Sequence, residues 1–539
     1  MISGNDFWSS LVQEKTTALS LGNGTCTTFK GMKSNMYNVL HDHVAHSPDK
    51  VGVVDDCGTS YTYKELLYLT DRLAAHLYGR HNVTKGKHIG VLLFNSVEFV
   101  ISFLAAQKLG AIMIPYPVKY KEPEIRSLIE KSDCDLVIAD RQFASWLEND
   151  QKKIPIIVSH PHGDCGYGLA HLDVEKQRIL PQSNVSLEDP AIIMFTSGTT
   201  SESKGAVIRN INIQHAIHAY RHTLEIDEHD STILAIPMYN VTGLIATLSL
   251  FLLTKGKVYL QRIFKVDRLL EELKKYNITF YHASPTIFTL MLNNKYKYSQ
   301  LPYLKTLACG SGNMPIHKIK ELKRWLPKMS FRTIYGLTET TSPATIFPQD
   351  ASESQWIGSS GHPIPGMDVK IVDHEGNDNG FDQIGEIYVK GPNVIREYYQ
   401  QKTNLFTKDH WLKTGDIGYI SQAGYLFIKD RMKDMINRGG EKIFSYEVEN
   451  AIYQIEGIRE VAVIGISHDV YGEIPIAMLS LKKGYQMNGT QIKRALKYQL
   501  ASYKIPEDYY IVKDICKTPN GKIDKKKLRI IVEQGGGTE

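Results

Sequence analysis

The sequence predicts an α/β fold with parallel sheets, spread over more than one domain. The chain has 539 residues, too many for a single hydrophobic core, so at least two domains are expected. Between Ser60 and about Pro117, apolar residues first recur at helical spacing and then gather in short β-rich runs. This alternation is typical of strands and helices that follow one another in a parallel sheet.

Later segments continue the same pattern. The runs "CDLVIAD", "PAIIMFTSG", "STILAIPM" and "ITFYHASPTIFTLML" are interpreted as buried strands or strand–helix junctions. In open α/β sheets, ligands bind beyond the carboxyl ends of the strands. The functional residues are therefore expected where these runs end.

The pattern changes after Pro363. The runs "DVKIVD", "GEIYVKG" and "GYLFIKD" are short, alternate apolar with polar residues, and are separated by turns rich in Gly and Asp, which predicts a small antiparallel subdomain. Beyond "KDRMKDMINRGG", a helix–strand–strand–helix pattern predicts a separate compact α+β domain. The predicted fold class is thus a large N-terminal domain of parallel αβ subdomains with a small β-rich subdomain, followed by a small mobile C-terminal domain.

Composition narrows the class of protein. With 42% hydrophobic and 22% charged residues, the chain is typical of soluble globular proteins. The net charge is +5, but basic and acidic residues are interspersed, which disfavours nucleic-acid binding. Six cysteines lie far apart with no metal-ligand or disulfide spacing, and no signal peptide or membrane span is predicted. A reducing cytoplasm is the expected location.

The stretch "MFTSGTTSESKGAVI" is the first candidate ligand site. It leaves a predicted strand, Ile192 to Phe195, and enters Thr196, Ser197, Gly198, Thr199 and Thr200 before reaching Lys204. Small residues let backbone N–H groups turn towards a phosphate, hydroxyls add donors and the lysine adds a mobile charge. Taken alone, the loop could equally be an ordinary surface turn.

The spacing of this loop excludes two phosphate-binding designs. A Walker loop needs a second glycine before the lysine and a hydroxyl after it, but Ser203 precedes Lys204 and Gly205 follows it. The protein-kinase design also fails, because its catalytic-loop and D-F-G strings do not occur downstream.

Together with its downstream partners, the loop resembles that of the adenylate-forming superfamily. This family includes acyl- and aryl-CoA synthetases, adenylation domains of peptide synthetases, and luciferases. Six further strings stand in the family's order: "CGSGNMP", "YGLTETT", "GSSGHPIPG", "TGDIGY", "DRMKDMINRGGEKIFSYEVE" and "KTPNGKIDKKKLR". The resemblance extends from about Tyr61 to Arg529, and its closest type is the acyl- or aryl-CoA ligase.

The resemblance implies a site for ATP. Adenine needs a flat slot, which Gly310, Ser311 and Gly312 can line and Tyr335 can cover by stacking. Glu339, a carboxylate among phosphate oxygens, is expected to hold Mg²⁺. Its alternative is an ordinary acid at a helix N-terminus. The expected ATP- and AMP-binding residues are Thr196, Ser197, Gly198, Thr199, Thr200, Lys204, Gly310, Ser311, Gly312, Tyr335, Gly336, Thr338, Asp416 and Arg431.

Asp416 and Arg431 are expected at the ribose. Asp416 offers two oxygens to the vicinal hydroxyls, and Arg431 can donate to the same sugar or to phosphate. Without the surrounding strings, Asp416 could be a turn residue and Arg431 a member of a surface ion pair.

The resemblance also assigns the catalytic lysine and the hinge. Lys522, in "PNGK", corresponds to the family lysine that bridges the carboxylate and the α-phosphate, so it is expected to be catalytic with Lys204 and Glu339. The cations at positions 525–527 are interpreted as solvated residues of a helix start. Lys433 matches the family's hinge, which divides the chain into domains of residues 1–432 and 433–539. Rotation there would bring Gly439 and Gly440 to the site, where the missing side chains let a pantetheine arm pass.

The acyl pocket is expected to hold an aromatic or medium-length apolar carboxylate. The pocket segments contain no Asp to hold an α-amino group, which argues against amino acids. Asn240 stands where many family members have a histidine, and His282 is either its substitute or a buried histidine with satisfied bonds. The expected residues are Tyr239, Asn240, His282, Gly310, Gly336 and Ser342.

The resemblance implies carboxylate activation by ATP, followed by transfer of the acyl group to a thiol. A CoA ligase that uses ATP, Mg²⁺ and coenzyme A is the favoured function, because no carrier domain is appended. The alternative is a stand-alone enzyme that loads an acyl or aryl carrier protein. A catalytically weak binding or regulatory protein is disfavoured by the complete set of site residues. The oligomeric state is not predicted.

Overall fold

The computed structural model describes residues 1–22, 24–147, 154–159, 168–169, 172, 184–196, 203–298, 300–518 and 522–535. The strands in the first part are β1 Ile2–Ser3, β2 Thr16–Leu21, β3 Gly24–Phe29, β4 Val51–Val54, β5 Ser60–Thr62, β6 His88–Leu92, β7 Ile112–Pro115, β8 Leu136–Asp140, β9 Ile156–Ser159, β10 Pro190–Thr196, β11 Lys204–Arg209, β12 Ser231–Leu234, β13 Lys257–Leu260, β14 Phe280–Ala283, β15 Thr306–Cys309, β16 Ser330–Tyr335, β17 Thr345–Ile346 and β18 His362–Pro363. Those in the second part are β19 Asp368–Val372, β20 Gly385–Lys390, β21 Leu412–Ile420, β22 Leu426–Arg431, β23 Ile436–Arg438, β24 Glu441–Ile443, β25 Ile458–His468, β26 Gly472–Leu481 and β27 Asp508–Ile511.

The helices fill the connections between these strands. They are α1 Ser10–Gln13, α2 Met36–His46, α3 Tyr63–His81, α4 Val97–Leu109, α5 Glu122–Lys131, α6 Arg141–Leu147, α7 Asn210–Thr223, α8 Val241–Gly243, α9 Leu250–Thr254, α10 Val266–Lys275, α11 Pro285–Asn293, α12 Ile316–Trp325, α13 Ser445–Tyr453, α14 Gly489–Leu496 and α15 Lys525–Glu533. Helix α4 is buried along almost its whole length, which explains why its sequence is apolar on every side. No helix among these described residues is long and apolar enough to cross a bilayer.

Two largely parallel sheets form most of the N-terminal part. Sheet I has the order β11-β10-β7-β6-β8-β9, and sheet II has the order β18-β17-β16-β15-β14-β12-β13-β4-β5. Strands β16, β15, β14, β12, β13 and β4 run parallel, and antiparallel strands close both edges of sheet II. The predicted α/β class is confirmed, and the parallel strands align their carboxyl ends along one edge.

Sheet III is the predicted antiparallel subdomain. Its order is β1-β19-β20-β21-β22, so the first residues of the chain pair with a strand that begins at Asp368. The runs "DVKIVD", "GEIYVKG" and "GYLFIKD" correspond to β19, β20 and β22. Strand β21 contains the "TGD" string, so Asp416 lies in a strand rather than in a turn.

The C-terminal domain contains sheet IV, with the order β24-β23-β26-β25 and with β27 parallel to β26. The predicted helix–strand–strand–helix pattern is formed by α13, β25, β26 and α14. The apolar residues of β25 alternate between two faces, of which one packs against α13 and α14 and the other against α15.

One prediction about this domain is wrong. Lys525 is not a solvated cation, because its ammonium group lies 2.7 Å from Glu449 and donates to the Ser445 hydroxyl at 2.6 Å. Both charged side chains are only 11–12% exposed. The pair fastens the start of α15, three residues after Lys522, to helix α13.

Removing the cation of this pair should destabilise the C-terminal domain. Lys525→Met leaves the Glu449 carboxylate buried without its partner, which costs about 3–5 kcal/mol. Adding Glu449→Leu should recover most of that loss. Hydrogen exchange of the β25 amides measures the effect, with the exposed Lys526→Met as a control that changes stability by no more than about 0.5 kcal/mol. A Lys525→Met protein as stable as this control would contradict the structural role.

Candidate active site

The carboxyl edge of sheet II carries the residues expected at the ATP and acyl sites. His282 lies near the end of β14, Gly310 directly follows β15, and Gly336 directly follows β16. These three strands are neighbours in the sheet. A Cβ atom on Gly310 would lie 3.2 Å from Nε2 of His282, so a glycine here lets the two strand ends stay close together. Ser311, the next residue, adopts a positive φ of 67° and reverses the chain.

The expected adenosine residues form one hydrogen-bonded cluster. The Tyr335 hydroxyl donates to Oδ2 of Asp416 at 2.7 Å, and Nε of Arg431 lies 3.1 Å from Oδ1. Asp416 and Arg431 are direct partners across β21 and β22, so the sheet register sets this pairing. Burial, together with the Asp416 charge, raises the pKa of Tyr335, which keeps it a neutral donor. The cluster links the end of sheet II to sheet III.

A second cluster joins Lys204, Tyr398 and Glu339. The Tyr398 hydroxyl donates to Oε1 of Glu339 at 2.6 Å, and the Lys204 ammonium group lies 5.6 Å from the centre of the Tyr398 ring. Glu339 lies in a short 3₁₀ turn, Thr338–Thr340, so it is indeed an acid in a first helical turn. The hydrogen bond to Tyr398 orients the carboxylate and occupies one of its two oxygens. The second oxygen fits the expected role of a single carboxylate ligand for Mg²⁺.

Thr196 and Lys204, at the two ends of the expected phosphate loop, lie on neighbouring strands. Strands β10 and β11 pair antiparallel, with Thr196 opposite Lys204 at the end of the ladder. Beyond β11, the Tyr399 amide donates to the Gly205 carbonyl at 2.7 Å, which attaches the Tyr398 segment to that strand. Ser197, Gly198, Thr199 and Thr200 lie outside the described residues.

Lys522, in the C-terminal domain, lies within electrostatic range of charged residues of both clusters. Its carbonyl accepts a hydrogen bond from the Thr518 amide at 2.7 Å. Desolvation by the surrounding protein, with the Arg431 and Lys433 charges, lowers the pKa of the Lys522 ammonium group to about 8, against the opposing effect of Asp416 and Glu339. Charged residues that lie far apart in the sequence therefore influence the pKa of one ammonium group.

The segment around Lys433 joins the two domains. Asp430, at the end of sheet III, is buried and accepts a hydrogen bond from the Ser445 amide at the start of α13. Arg529 of α15 donates to the Lys433 carbonyl at 3.3 Å and to Asp434 at 3.1 Å. Desolvation, with the Arg431 charge, lowers the pKa of Lys433. The expected hinge residue therefore lies beside the adenosine cluster.

Gly439 and Gly440 are not part of either cluster. They form the two-residue turn between β23 and β24, with φ values of 60° and 93°. Two positive φ angles in a two-residue hairpin favour glycine, so the fold alone explains both residues. Within the described part of the chain, the contacts of this turn are with Asn437 and Tyr471 of the C-terminal domain and not with the ATP clusters.

The expected acyl-pocket residues are buried near the end of sheet II. Asn240 caps helix α8 and Tyr239, just before it, is 4% exposed. The hydroxyl of Ser342 lies 2.7 Å from that of Tyr220, a residue of α7 whose ring centre is 6.0 Å from the ring centre of His282. The structure therefore brings His282, Gly310 and Ser342 into one region.

Two residues of these clusters were missed by the sequence analysis. Tyr398, in "REYYQ", and Tyr220, in "HAYRH", stand in segments without glycine turns or a matching string. Each joins its cluster only through contacts between segments that lie far apart in the chain. The sequence carries no local signal that separates them from core tyrosines.

The chain belongs to the AMP-binding enzyme family. The family model for AMP-binding enzymes matches residues 40–399, and that for the AMP-binding enzyme C-terminal domain matches residues 447–522. The chain is 30% identical to the 2-succinylbenzoate–CoA ligase of Listeria monocytogenes, over 92% of this chain and 99% of that protein. It is 28% identical to the indoleacetate–CoA ligase of Aromatoleum aromaticum, over 87% of this chain and 93% of that protein.

Solved structures give the same result. The o-succinylbenzoate CoA synthetase MenE of Bacillus subtilis, in complex with the acyl-adenylate OSB-AMP, matches with a TM-score of 0.81 and 25% identity over 91% of this chain and 98% of that chain. ATP-bound MatB from Rhodopseudomonas palustris matches with a TM-score of 0.84 and 25% identity over 94% of this chain and 100% of that chain. The predicted superfamily and the class of AMP-forming acid–CoA ligases are confirmed.

The Tyr398 hydroxyl should be needed for adenylation. Tyr398→Phe removes a hydrogen bond to the Glu339 carboxylate, and a bond to a charged group contributes about 1.5–3 kcal/mol. We expect ATP–pyrophosphate exchange to fall about 10- to 100-fold. The matched control is Tyr399→Phe, whose hydroxyl contacts Asp133 instead, and which should keep near-normal exchange. Equal activity of the two variants would rule out this role.

Proposed function

We propose that the protein activates a carboxylic acid with ATP and transfers the acyl group to coenzyme A. The products are an acyl-CoA thioester, AMP and pyrophosphate. The observation that carries the proposal is the position of Lys522, which experiences the charges of both Asp416 in the adenosine cluster and Glu339 in the second cluster. A cation there faces the point where adenosine and pyrophosphate separate.

In the first half-reaction, a carboxylate oxygen attacks the α-phosphorus and the bond to the β-phosphate oxygen breaks. Both reactants are anionic, so charge neutralisation contributes more than an acid or a base. Lys522 neutralises the carboxylate and α-phosphate oxygens, and Lys204 holds the departing pyrophosphate. Glu339 would hold Mg²⁺, which neutralises phosphate charge when bound. Asp416 and Arg431 keep the ribose in place.

In the second half-reaction, the thiolate of coenzyme A attacks the acyl carbon and AMP leaves. We assign the two domains to residues 1–432 and 433–539, with the hinge at Lys433. Rotation there would withdraw Lys522 and bring the Gly439–Gly440 turn towards the acyl-adenylate. The close position of Lys522 to both clusters supports the adenylating orientation as one end of this motion.

The proposed substrate is an aromatic or medium-length apolar carboxylate. Relatives named for indoleacetate and 4-coumarate act on monocarboxylic acids with an aromatic ring. Buried aromatic side chains at Tyr239 and Tyr220, with Gly310 and Gly336 at the strand ends, suit a flat apolar group. We further propose a cytoplasmic location, since Cys26, Cys134, Cys309 and Cys516 are free thiols.

A screen of aromatic and fatty acids by ATP–pyrophosphate exchange tests the proposal. At least one acid should support exchange, and adding coenzyme A should then release AMP and form the thioester in equal amounts. The alternative acceptor is the pantetheine of a carrier protein. It predicts exchange with the acid but AMP release only when the loaded carrier is supplied. Absence of exchange with every acid would reject the function.

Lys522 should act in only one half-reaction. Lys522→Ala removes the cation from the α-phosphate, so pyrophosphate exchange should fall by at least about 100-fold. Thioester formation from supplied acyl-adenylate and coenzyme A should stay within a few-fold of the unaltered protein. Quenched-flow measurement of each step gives the two rates, and equal loss in both would contradict the division of roles.

The pH dependence of the exchange rate gives a second test of the role of Lys522. Because the pKa of Lys522 is lowered to about 8, its charge is present below that pH and is lost as the pH rises through it. The kcat/KM of exchange should therefore fall above about pH 8. In Lys522→Arg, whose guanidinium stays charged, this fall should disappear even if the rate is lower. A fall at the same pH in both proteins would assign it to another group.

A further inference from the structure

Three polar side chains from separate elements meet at the end of sheet II. They are His282 in β14, Tyr220 in α7 and Ser342 after β16, and we call them the polar trio. All three are at least nine-tenths buried, with exposures of 3%, 0% and 7%. Protein interiors rarely bury three polar side chains at one place without a set of partners for them.

His282 is the member without a partner. Both ring nitrogens are buried, and neither has a hydrogen-bond partner among the described residues. Its Nε2 faces Gly310, where a side chain is missing and an added Cβ would lie 3.2 Å away. A neutral imidazole carries one N–H donor and one acceptor, so two hydrogen bonds stay unmade. Leaving a buried donor or acceptor without a hydrogen-bond partner costs about 1–3 kcal/mol for each group.

The other two members have one unused hydrogen between them. The hydroxyls of Tyr220 and Ser342 lie 2.7 Å apart, and only one hydrogen is needed for that bond. The hydroxyl that accepts keeps its own hydrogen. The trio can thus donate and accept hydrogen bonds beside a buried aromatic ring.

The trio is uncharged. Burial lowers the pKa of His282 to about 4, and no charged group in the described part of the chain adds to this shift. Burial also raises the pKa of Tyr220, so its hydroxyl stays protonated. A second carboxylate on a substrate would therefore meet neutral groups only, and burying an anion without a cation costs several kcal/mol.

We infer that the acyl group of the substrate carries a neutral hydrogen-bonding substituent of the hydroxyl class, which binds His282 and the Tyr220–Ser342 pair. A hydroxyl both donates and accepts, so it can satisfy the imidazole and the free hydrogen together. The inference rests on the proposed function, because it names the acid that the same site activates. Acids with an unsubstituted apolar acyl group leave the trio unpaired, and dicarboxylic acids leave a charge unpaired.

Matched pairs of acids test this inference. Ring-hydroxylated benzoates and phenylpropanoates are compared with the methyl analogues of the same ring position, because methyl and hydroxyl groups are similar in size. For at least one position, the hydroxyl acid should exceed its methyl analogue by at least about tenfold in kcat/KM of pyrophosphate exchange. Benzenedicarboxylates should be activated less well than that hydroxyl acid.

Variants then assign the preference to the trio. His282→Leu should reduce the hydroxyl-to-methyl ratio to near one, and His282→Asn, which keeps a donor and an acceptor, should retain part of it. Tyr220→Phe should lower the ratio as a second, independent change. The control is Tyr281→Phe, since Tyr281 adjoins His282 but lies on the opposite face of β14, against Phe288. A ratio is measured within one preparation, so partial misfolding does not alter it.

The outcomes separate the two proposals. Absence of exchange with every acid would reject the ligase function itself. Exchange with equal rates for hydroxyl and methyl acids, preference for a dicarboxylic acid, or a ratio unchanged in both His282→Leu and Tyr220→Phe would reject the inference and leave the function standing. A ratio that falls in the trio variants and holds in Tyr281→Phe supports it.

Discussion

The hydrogen bond between Tyr335 and Asp416 is the contact on which the site depends. It joins the carboxyl end of a parallel strand in sheet II to a strand of the antiparallel sheet III at 2.7 Å. Asp416 in turn pairs with Arg431 across sheet III, and the chain leaves that sheet for the C-terminal domain directly after Arg431. One side-chain contact and one strand register therefore link the end of sheet II to the segment that leads to the proposed hinge.

A few polar contacts also connect the helices of the C-terminal domain. Asp430 receives the first amide of α13, and the buried Lys525–Glu449 pair ties α15 to the same helix. Lys522 precedes α15 by three residues, so the pair also links the position of Lys522 to helix α13. This arrangement would hold the proposed catalytic lysine in a defined position relative to the C-terminal helices.

Much of the fold and part of the site could be predicted from sequence. Strands β6, β7, β8, β10, β12 and β14 of the parallel sheets and β19, β20 and β22 of sheet III lie in the predicted apolar runs, since strands buried on two faces and strands buried on one face leave different patterns. Glu339, Asp416, Arg431 and Lys522 stand in strings that resemble a family, and the structure brings them within electrostatic reach of one another. Their individual roles stay predictions.

Other parts depend on contacts that no local pattern encodes. Tyr398 belongs to the site because it donates a hydrogen bond to Glu339, and Lys525 is buried because it pairs with Glu449. Both contacts join segments that come together only in the folded chain. For Gly439 and Gly440, the sequence suggested a functional role, passage of a pantetheine arm. Their positive φ angles in a two-residue turn also explain why both residues are glycine.

If the proposed domain rotation takes place, the lowered pKa of Lys522 makes it a proton-linked equilibrium. A lysine in water has its pKa near 10.4, whereas in the closed arrangement the value is about 8. Below pH 8 the ammonium group is charged in both states, so its desolvation opposes closure by a constant amount. Between pH 8 and about 10.4, closure releases a proton and becomes more favourable as the pH rises. In the proposed adenylating orientation, the negative charge of a bound polyphosphate would raise the pKa of Lys522 again, so ATP would offset the cost of desolvating its ammonium group.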